Sequence, residues 1–228
     1  MALELEERLS LTILPFEQKG AVSAASTAFQ DYLINSLVSQ KRFRIVEKNR
    51  LDAVLEEQKL SLTDLVDKST ALRLGKLVAA KSIVTGSIIE TSNGIEVVAR
   101  MIDTETSEVL ATEDVYNEVK EIAALSSLAE GIAIKFHREF PLVDGSVIQQ
   151  ERSYILTDLG KDKVSIQRRL IVYREKPIKH PQTGKILGSD NTIIAHARVT
   201  QVMPERSRAD LPSGENFSIN PMDKVITE

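Results

Sequence analysis

The feature that most constrains this chain is a change of period at Pro141. From Glu121 to Phe140 apolar residues return every three or four positions (Ile122, Leu125, Ala129, Ile132, Phe136, Phe140), the spacing that lines one face of a helix. Pro141 has no amide hydrogen to continue that helix and ends it. Beyond the segment Pro141-Leu142-Val143-Asp144-Gly145 no stretch keeps a helical period. Short strand candidates recur instead, at 146–150, 153–157, 169–174, 192–202 and 224–226, with Gly160, Pro177, Pro181, Gly184, Gly188, Pro204, Pro212 and Pro221 between or beside them. Short strands with frequent turn residues predict a small barrel of about 80 residues. The chain therefore divides into two domains, 1–143 and 144–228, with the boundary near 141–145.

The first domain alternates strand and helix. Residues 9–16 read as a buried strand with Pro15 near its exit, and Val22, Ala25, Phe29, Leu33 and Leu37 mark one stripe of a helix over 22–40. Phe43, Ile45 and Glu47 open a second strand. Asn49 is placed as an N-cap, with Asp52 in the first turn of a short helix carrying Leu51, Val54 and Leu55. Ser61-Leu62-Thr63-Asp64 is a second helix start, and that helix should run to about Ala80 with Leu65, Leu72 and Leu77 in the core. Residues 81–90 are β-branched. Asn93-Gly94 predicts a type I′ hairpin, in which both central residues take positive φ. Alternation over 95–102, a polar turn at Thr104–Ser107 and a third strand at 108–116 complete a meander. The order is β-α-β-α-α-β-β-β-α around a mixed sheet, so the fold class is α+β: a layered α/β domain followed by a small all-β barrel.

Reactive groups are scarce. The 228 residues contain no cysteine, which removes thiolate nucleophiles and Cys-ligated metals. His137, His180 and His196 have neither an i,i+4 histidine partner nor an HExxH context, so no metal ligands are assigned. His137 is read as structural or solvated, and His180 and His196 as turn or surface residues. Neither a GxSxG nucleophile elbow nor a GxxxxGK[ST] or GxGxxG phosphate loop occurs, and Thr183-Gly184 with Leu187-Gly188 reads as a hairpin tip. Glu56-Glu57 reads as a solvated helix face. The formal net charge of −4 does not favour a general polyanion binder. The small basic patch of Lys161, Lys163, Arg168 and Arg169 has only Tyr173 nearby to stack on a base. No apolar run approaches the roughly 20 residues of a membrane-spanning helix. The first residues, Met1-Ala2-Leu3-Glu4, lack the basic-then-apolar order of a signal peptide. The expectation is a protein with no catalytic residues, no cofactor and no metal.

Two stretches carry a family likeness. Residues 44–58 (RIVEKNRLDAVLEEQ) and 70–87 (TALRLGKLVAAKSIVTGS) resemble the CsgG-type family, which includes the curli secretion channel component, lipoprotein activators of penicillin-binding proteins, and relatives with a TolB N-terminal-like fold. The turn at 103–109 resembles that family's "D..TGevl" segment, with Ser107 in place of its glycine. Further on, Tyr154, Asp158-Leu159-Gly160, residues 170–174, His180 to Gly188, residues 197–202 and Ser207-Arg208-Ala209 resemble the C-terminal domain of the flagellar assembly protein FlgT and similar SH3-like modules. Residues 220–225 occupy that module's closing "GDkV" turn, with Met222 in place of its glycine.

The resemblance implies an exported, non-enzymatic protein, in the periplasm or tethered at the periplasmic face of the outer membrane by an N-terminal lipid anchor. Its implied partners are secretion, flagellar or peptidoglycan-synthesis proteins, with no nucleic acid and with homo-oligomers allowed. A pore of the curli channel kind is not expected, because the hairpin at Asn93-Gly94 is short. Candidate contact surfaces are an open sheet edge, the outer face of the first helix (Gln30, Asn35, Ser39), and Tyr173 with Arg174, residue types favoured at binding hot spots. The rival readings are a nucleic-acid-binding module using the barrel, and a hydrolase whose site shows no motif.

Overall fold

Pro15 shapes the start of the fold. In the computed structural model, which describes residues 8–20, 25–46, 53, 56, 68–119 and 121–228, the expected first strand is split in two. β1 (Ser10–Ile13) and β2 (Glu17–Lys19) both run parallel along the same edge of β4 (Ser82–Glu90), Leu11 beside Ser82 and Glu17 beside Ser87. The Leu14 amide still donates to the Val84 carbonyl at 2.8 Å, but Pro15 has nothing to donate and the ladder lapses until Glu17.

The chain separates into two units, Met1–Phe140 and Pro141–Glu228. In the first, β3 (Arg44–Ile45) joins β1 in parallel, and β5 (Ile95–Asp103) and β6 (Val109–Asn117) extend β4 antiparallel, giving the order β3-β1-β4-β5-β6. Helices α1 (Ala25–Ser39) and α3 (Ile122–Glu139) cover one face, where Phe29, Leu33 and Leu37 meet Leu125, Ala129, Ile132 and Phe136 over Leu11, Ile13, Val97, Ala99 and Met101. Helix α2 (Lys68–Leu77) lies on the other face, with Leu74 and Val78 against Leu14, Ile83 and Ile102. The mixed sheet between helical layers matches the expected fold class.

Several details differ. Leu77, expected in the core, is 46% exposed, because the sheet-facing stripe of α2 runs through Leu74 and Val78, four residues apart. The expected caps at Asn49 and Ser61, the apolar positions Leu51, Val54, Leu55 and Leu65, and the helix position Val22 lie outside the described residues. Ala53 and Glu56 are helical and exposed. The predicted type I′ turn does not form: neither Asn93 nor Gly94 has positive φ, and a four-residue connection runs from Glu90 to its partner Ile95. Gly94 is needed for space instead, since a Cβ there would stand 2.3 Å from the Asn117 carbonyl oxygen and 2.7 Å from the Tyr116 hydroxyl. That hydroxyl donates to the Asn93 carbonyl at 2.6 Å.

The second unit is a six-stranded antiparallel sheet that closes on itself in the order β10-β11-β8-β7-β12-β9. Its strands are β7 (Asp144–Gln150), β8 (Tyr154–Thr157), β9 (Arg169–Lys179), β10 (Ile186–Val202), β11 (Ser207–Asp210) and β12 (Lys224–Thr227). Val147, Ile155, Leu170, Val172, Ala195, Ala197, Val199, Ala209 and Val225 fill the interior. β11 is absent from the strands expected of the sequence, because Ser-Arg-Ala-Asp has no apolar alternation. It forms with Ser207 and Ala209 inward, the Ser207 and Thr157 hydroxyls sharing a buried 2.8 Å hydrogen bond. β9 and β10 also run well past the expected 169–174 and 192–202.

Ser107 and Met222 both stand in the left-handed region, at φ 65° and 74°. These are the two places where the resembled patterns carry glycine. At the first, the buried Asp103 carboxylate accepts the Glu105 and Thr106 amides at 2.8 and 2.9 Å, and the Ser107 amide donates to the Asp103 carbonyl at 3.0 Å. A side chain in this region costs about 1–2 kcal/mol, of which glycine's greater freedom in the unfolded chain takes back roughly half. Ser107→Gly should therefore stabilise the first unit by about 0.5–1 kcal/mol, read in calorimetry as a rise in Tm of roughly 2–4 °C.

Candidate functional site

The five residues expected at partner contacts fall in different settings. Gln30 is not on the outer face of α1. It is 2% exposed, and its Nε2 donates to the Ile13 carbonyl at 2.7 Å, beside the Pro15 break. One turn earlier, the Ser26 hydroxyl donates to the Phe16 carbonyl at 2.7 Å. Gln30 follows Phe29 on the buried side of the helix, and its amide satisfies the irregular strand rather than a partner. Asn35 is exposed. Ser39 is exposed too, its hydroxyl donating to the Ser36 carbonyl at 2.8 Å.

On the second unit, Tyr173 and Arg174 adjoin on β9. Tyr173 is half-buried, and its phenol is pushed up from its ordinary pKa by burial first and then by the carboxylates of Asp144 and Glu175. The Arg174 guanidinium is already engaged. Its Nε and Nη2 grip both oxygens of Asp223 at 2.8 and 2.7 Å, and Nη2 also donates to the Ser218 carbonyl at 2.9 Å. Asp223 Oδ2 further accepts the Asn220 amide at 2.7 Å. This latch ties β9 to the turn that enters β12, and the turn contains the left-handed Met222. Burial pushes the Asp223 carboxyl up, but the Arg174 hydrogen bonds, the Asn220 amide and the guanidinium charge outweigh it and hold the group below its usual range.

The basic patch loses a member. Arg168 is 7% exposed and its Nη2 donates to the Pro141 carbonyl at 2.8 Å, so it cannot present a guanidinium to phosphate as drawn from the sequence. Arg42 is buried in the first unit, its Nε donating to the Phe140 carbonyl, and burial followed by the nearby Arg8 charge lowers its pKa to about 10. The sheet edge is at β6: among the described residues its one strand neighbour is β5, and Val109 and Tyr116 are 50% and 52% exposed. The opposite edge, β3, is only two residues long.

His137 is in the last turn of α3 and His196 on β10. His180 Nδ1 accepts the Gln182 and Thr183 amides at 3.2 and 3.4 Å, which places it in the hairpin tip. Among the described residues no three His, Asp or Glu side chains are grouped to hold a metal, and no helix is long and apolar enough to cross a membrane.

Residues 14–93 match the family described as curli production assembly/transport component CsgG. No curated protein matches the chain in sequence. Among solved structures, the chain is similar to the LpoB C-terminal domain from Salmonella enterica, at 18% identity and TM-score 0.42, over 49% of this chain and 82% of that one. It is similar to lipoprotein GNA1162 from Neisseria meningitidis at 9% identity and TM-score 0.46, over 58% and 99%. It is also similar to the PelC dodecamer from Paraburkholderia phytofirmans at 14% identity and TM-score 0.38, over 55% and 84%.

Two outcomes follow. Gln30→Ala leaves the Ile13 carbonyl without its buried donor and should destabilise the first unit by about 1–3 kcal/mol in denaturant unfolding, whereas Asn35→Ala should change it by less than about 0.5 kcal/mol. A carboxyl held below its ordinary value stabilises the fold above the unfolded pKa of about 3.9 and loses that contribution as pH falls through the folded value. Asp223→Asn should therefore lower the Tm of the second unit by several degrees at pH 7, and the gap from the unaltered protein should narrow as the medium is acidified below the unfolded carboxyl value.

Proposed function

We propose that this chain is a non-enzymatic accessory protein of the bacterial cell envelope that binds other proteins during assembly or secretion of a surface structure, or during cell-wall synthesis. The observation that carries this reading is the match of residues 14–93 to the curli production assembly/transport component family. The disposition of polar groups supports it. Gln30, Ser26, Arg42 and Arg168 each donate to a backbone carbonyl, and Arg174 closes a turn on Asp223. These are structural uses, and they leave surface rather than a reaction centre as the means of action.

The second unit serves as a FlgT C-terminal-like module on this reading, following the resemblance of residues 154–225. The site of action is the periplasm or the periplasmic face of the outer membrane. The contact surfaces are the β6 edge, a nine-residue strand able to pair with an added strand, the α1 face around Asn35, and the exposed part of Tyr173 and Arg174.

The test is affinity capture from cross-linked envelope extracts. Secretion, flagellar or peptidoglycan-synthesis proteins should be recovered, and Thr112→Pro on β6 or Asn35→Arg on α1 should reduce recovery at least about threefold, a loss of roughly 0.7 kcal/mol, with the fold intact by circular dichroism. Recovery of no such component, or fractionation of the chain away from the envelope, would overturn the reading.

A further inference from the structure

β9 and β10 form an arm whose end no neighbouring strand flanks among the described residues. Their pairing runs from Arg169 beside Arg198 out to Lys179 beside Ile186. β12 pairs with β9 only from Leu170 to Tyr173, and β11 pairs with β10 only from Arg198 to Val202. Beyond those points the arm is a two-stranded ribbon, closed by a tip in which the Gly184 amide donates to the His180 carbonyl at 2.9 Å and Gly184 takes φ 67°.

The ribbon's outer part, residues 178–188, holds Lys179, His180 and Lys185 and no Asp or Glu; Glu175 and Asp190 stand just inside it, Asp190 across the ladder from Lys176. Ile178, Ile186 and Leu187 are exposed at 51%, 62% and 61%. Large β-branched and aliphatic side chains are not left in water at a ribbon end for stability, because an isolated hairpin has no core to bury them in. Their directions are informative. Ile186 faces Lys179 across the ladder and shares its side of the ribbon, Ile178 faces Gly188 on the opposite side, and Leu187 is the extra residue at the register shift between them. The apolar groups thus surround the tip. A folded partner or an added strand covers one side or one edge, whereas a fluid interface envelops both. The lysines then extend their stems past the apolar groups to reach anionic headgroups.

We propose that the tip of this arm, residues 176–189, docks on an anionic lipid bilayer surface, with Ile178, Ile186 and Leu187 entering the interface and Lys176, Lys179 and Lys185 meeting lipid phosphates. The proposal stands apart from the protein-binding reading above, and the bilayer test contains no protein partner.

The test is co-sedimentation of the full chain with vesicles of phosphatidylglycerol and phosphatidylcholine in equal parts, against vesicles of phosphatidylcholine alone. Binding should favour the anionic vesicles and weaken as salt is raised, because screening shortens the reach of the lysine charges. Lys179→Glu with Lys185→Glu, and separately Ile186→Ser with Leu187→Ser, should each reduce binding roughly tenfold or more while leaving the Tm unchanged, since these side chains are exposed. Equal binding to both vesicle types, no binding to either, or indifference to both double variants would overturn the proposal. So would light scattering that shows a dimer in the absence of lipid which Ile186→Ser with Leu187→Ser converts to monomer, because the tip would then cover a second copy. Binding of inorganic phosphate that saturates the lysines and leaves vesicle association unaffected would overturn it as well.

Discussion

At Pro15 the backbone has no amide to give, and the first unit is arranged around that gap in its opening strand. The chain resumes on the same edge of β4 only at Glu17, and α1 supplies the missing polar contacts from above, Ser26 to the Phe16 carbonyl and Gln30 to the Ile13 carbonyl. These two residues sit four apart, one helical turn, so both donors reach the same irregular stretch. The aromatic rings of Phe16 and Phe29 meet edge-on at 4.8 Å beside them, so the break is sealed by apolar contact as well as by hydrogen bonds. A buried carbonyl without a donor costs about 1–3 kcal/mol, comparable to a large part of a domain's net stability. The position and rotation of α1 on the sheet are therefore tied to a defect in β1, and the α1–α3 layer is placed from there.

The second unit depends on a different bond of the same logic. A last strand of four residues has little ladder to hold it in the barrel. β12 has four residues and must pair with β7 on one side and β9 on the other. The Arg174–Asp223 fork fixes the turn that delivers it, and the Asn220 amide on the same carboxylate fixes the loop before it. Bidentate geometry matters here, because two parallel bonds set orientation as well as distance. Arg174, expected from the sequence at a partner contact, is engaged here in closing the barrel.

What was legible followed from period. The helical stripes Phe29-Leu33-Leu37 and Leu125-Ala129-Ile132-Phe136 and the meander over 82–117 rest on apolar spacing, the all-β character after Pro141 on the loss of the helical period amid frequent turn residues, and each is present. What was illegible was decided by contacts distant in sequence. β11 has a polar sequence and is a strand only because β8 and β10 flank it. Gln30 looks like a surface residue until Ile13, seventeen positions earlier, is brought beneath it. Leu77 is apolar at a helix end but falls just past the stripe that the sheet selects. Polar residue type signals surface only on average, and the exceptions cluster where backbone irregularity needs a donor.

Two turns place a residue other than glycine in the left-handed region, Ser107 and Met222. Each is held by a side-chain network: Asp103 accepts the Glu105 and Thr106 amides, and Asp223 accepts the Asn220 amide and the Arg174 guanidinium. Those bonds over-determine the loop, so the residue that must turn left-handed does so even when it is Ser107 or Met222, at a cost the neighbouring contacts outweigh. Met222 is 73% exposed, so its side chain meets no steric obstacle beyond its own backbone. The aspartates carry the structural information in these two turns, because an aspartate side chain selects a turn whereas a glycine would only permit it.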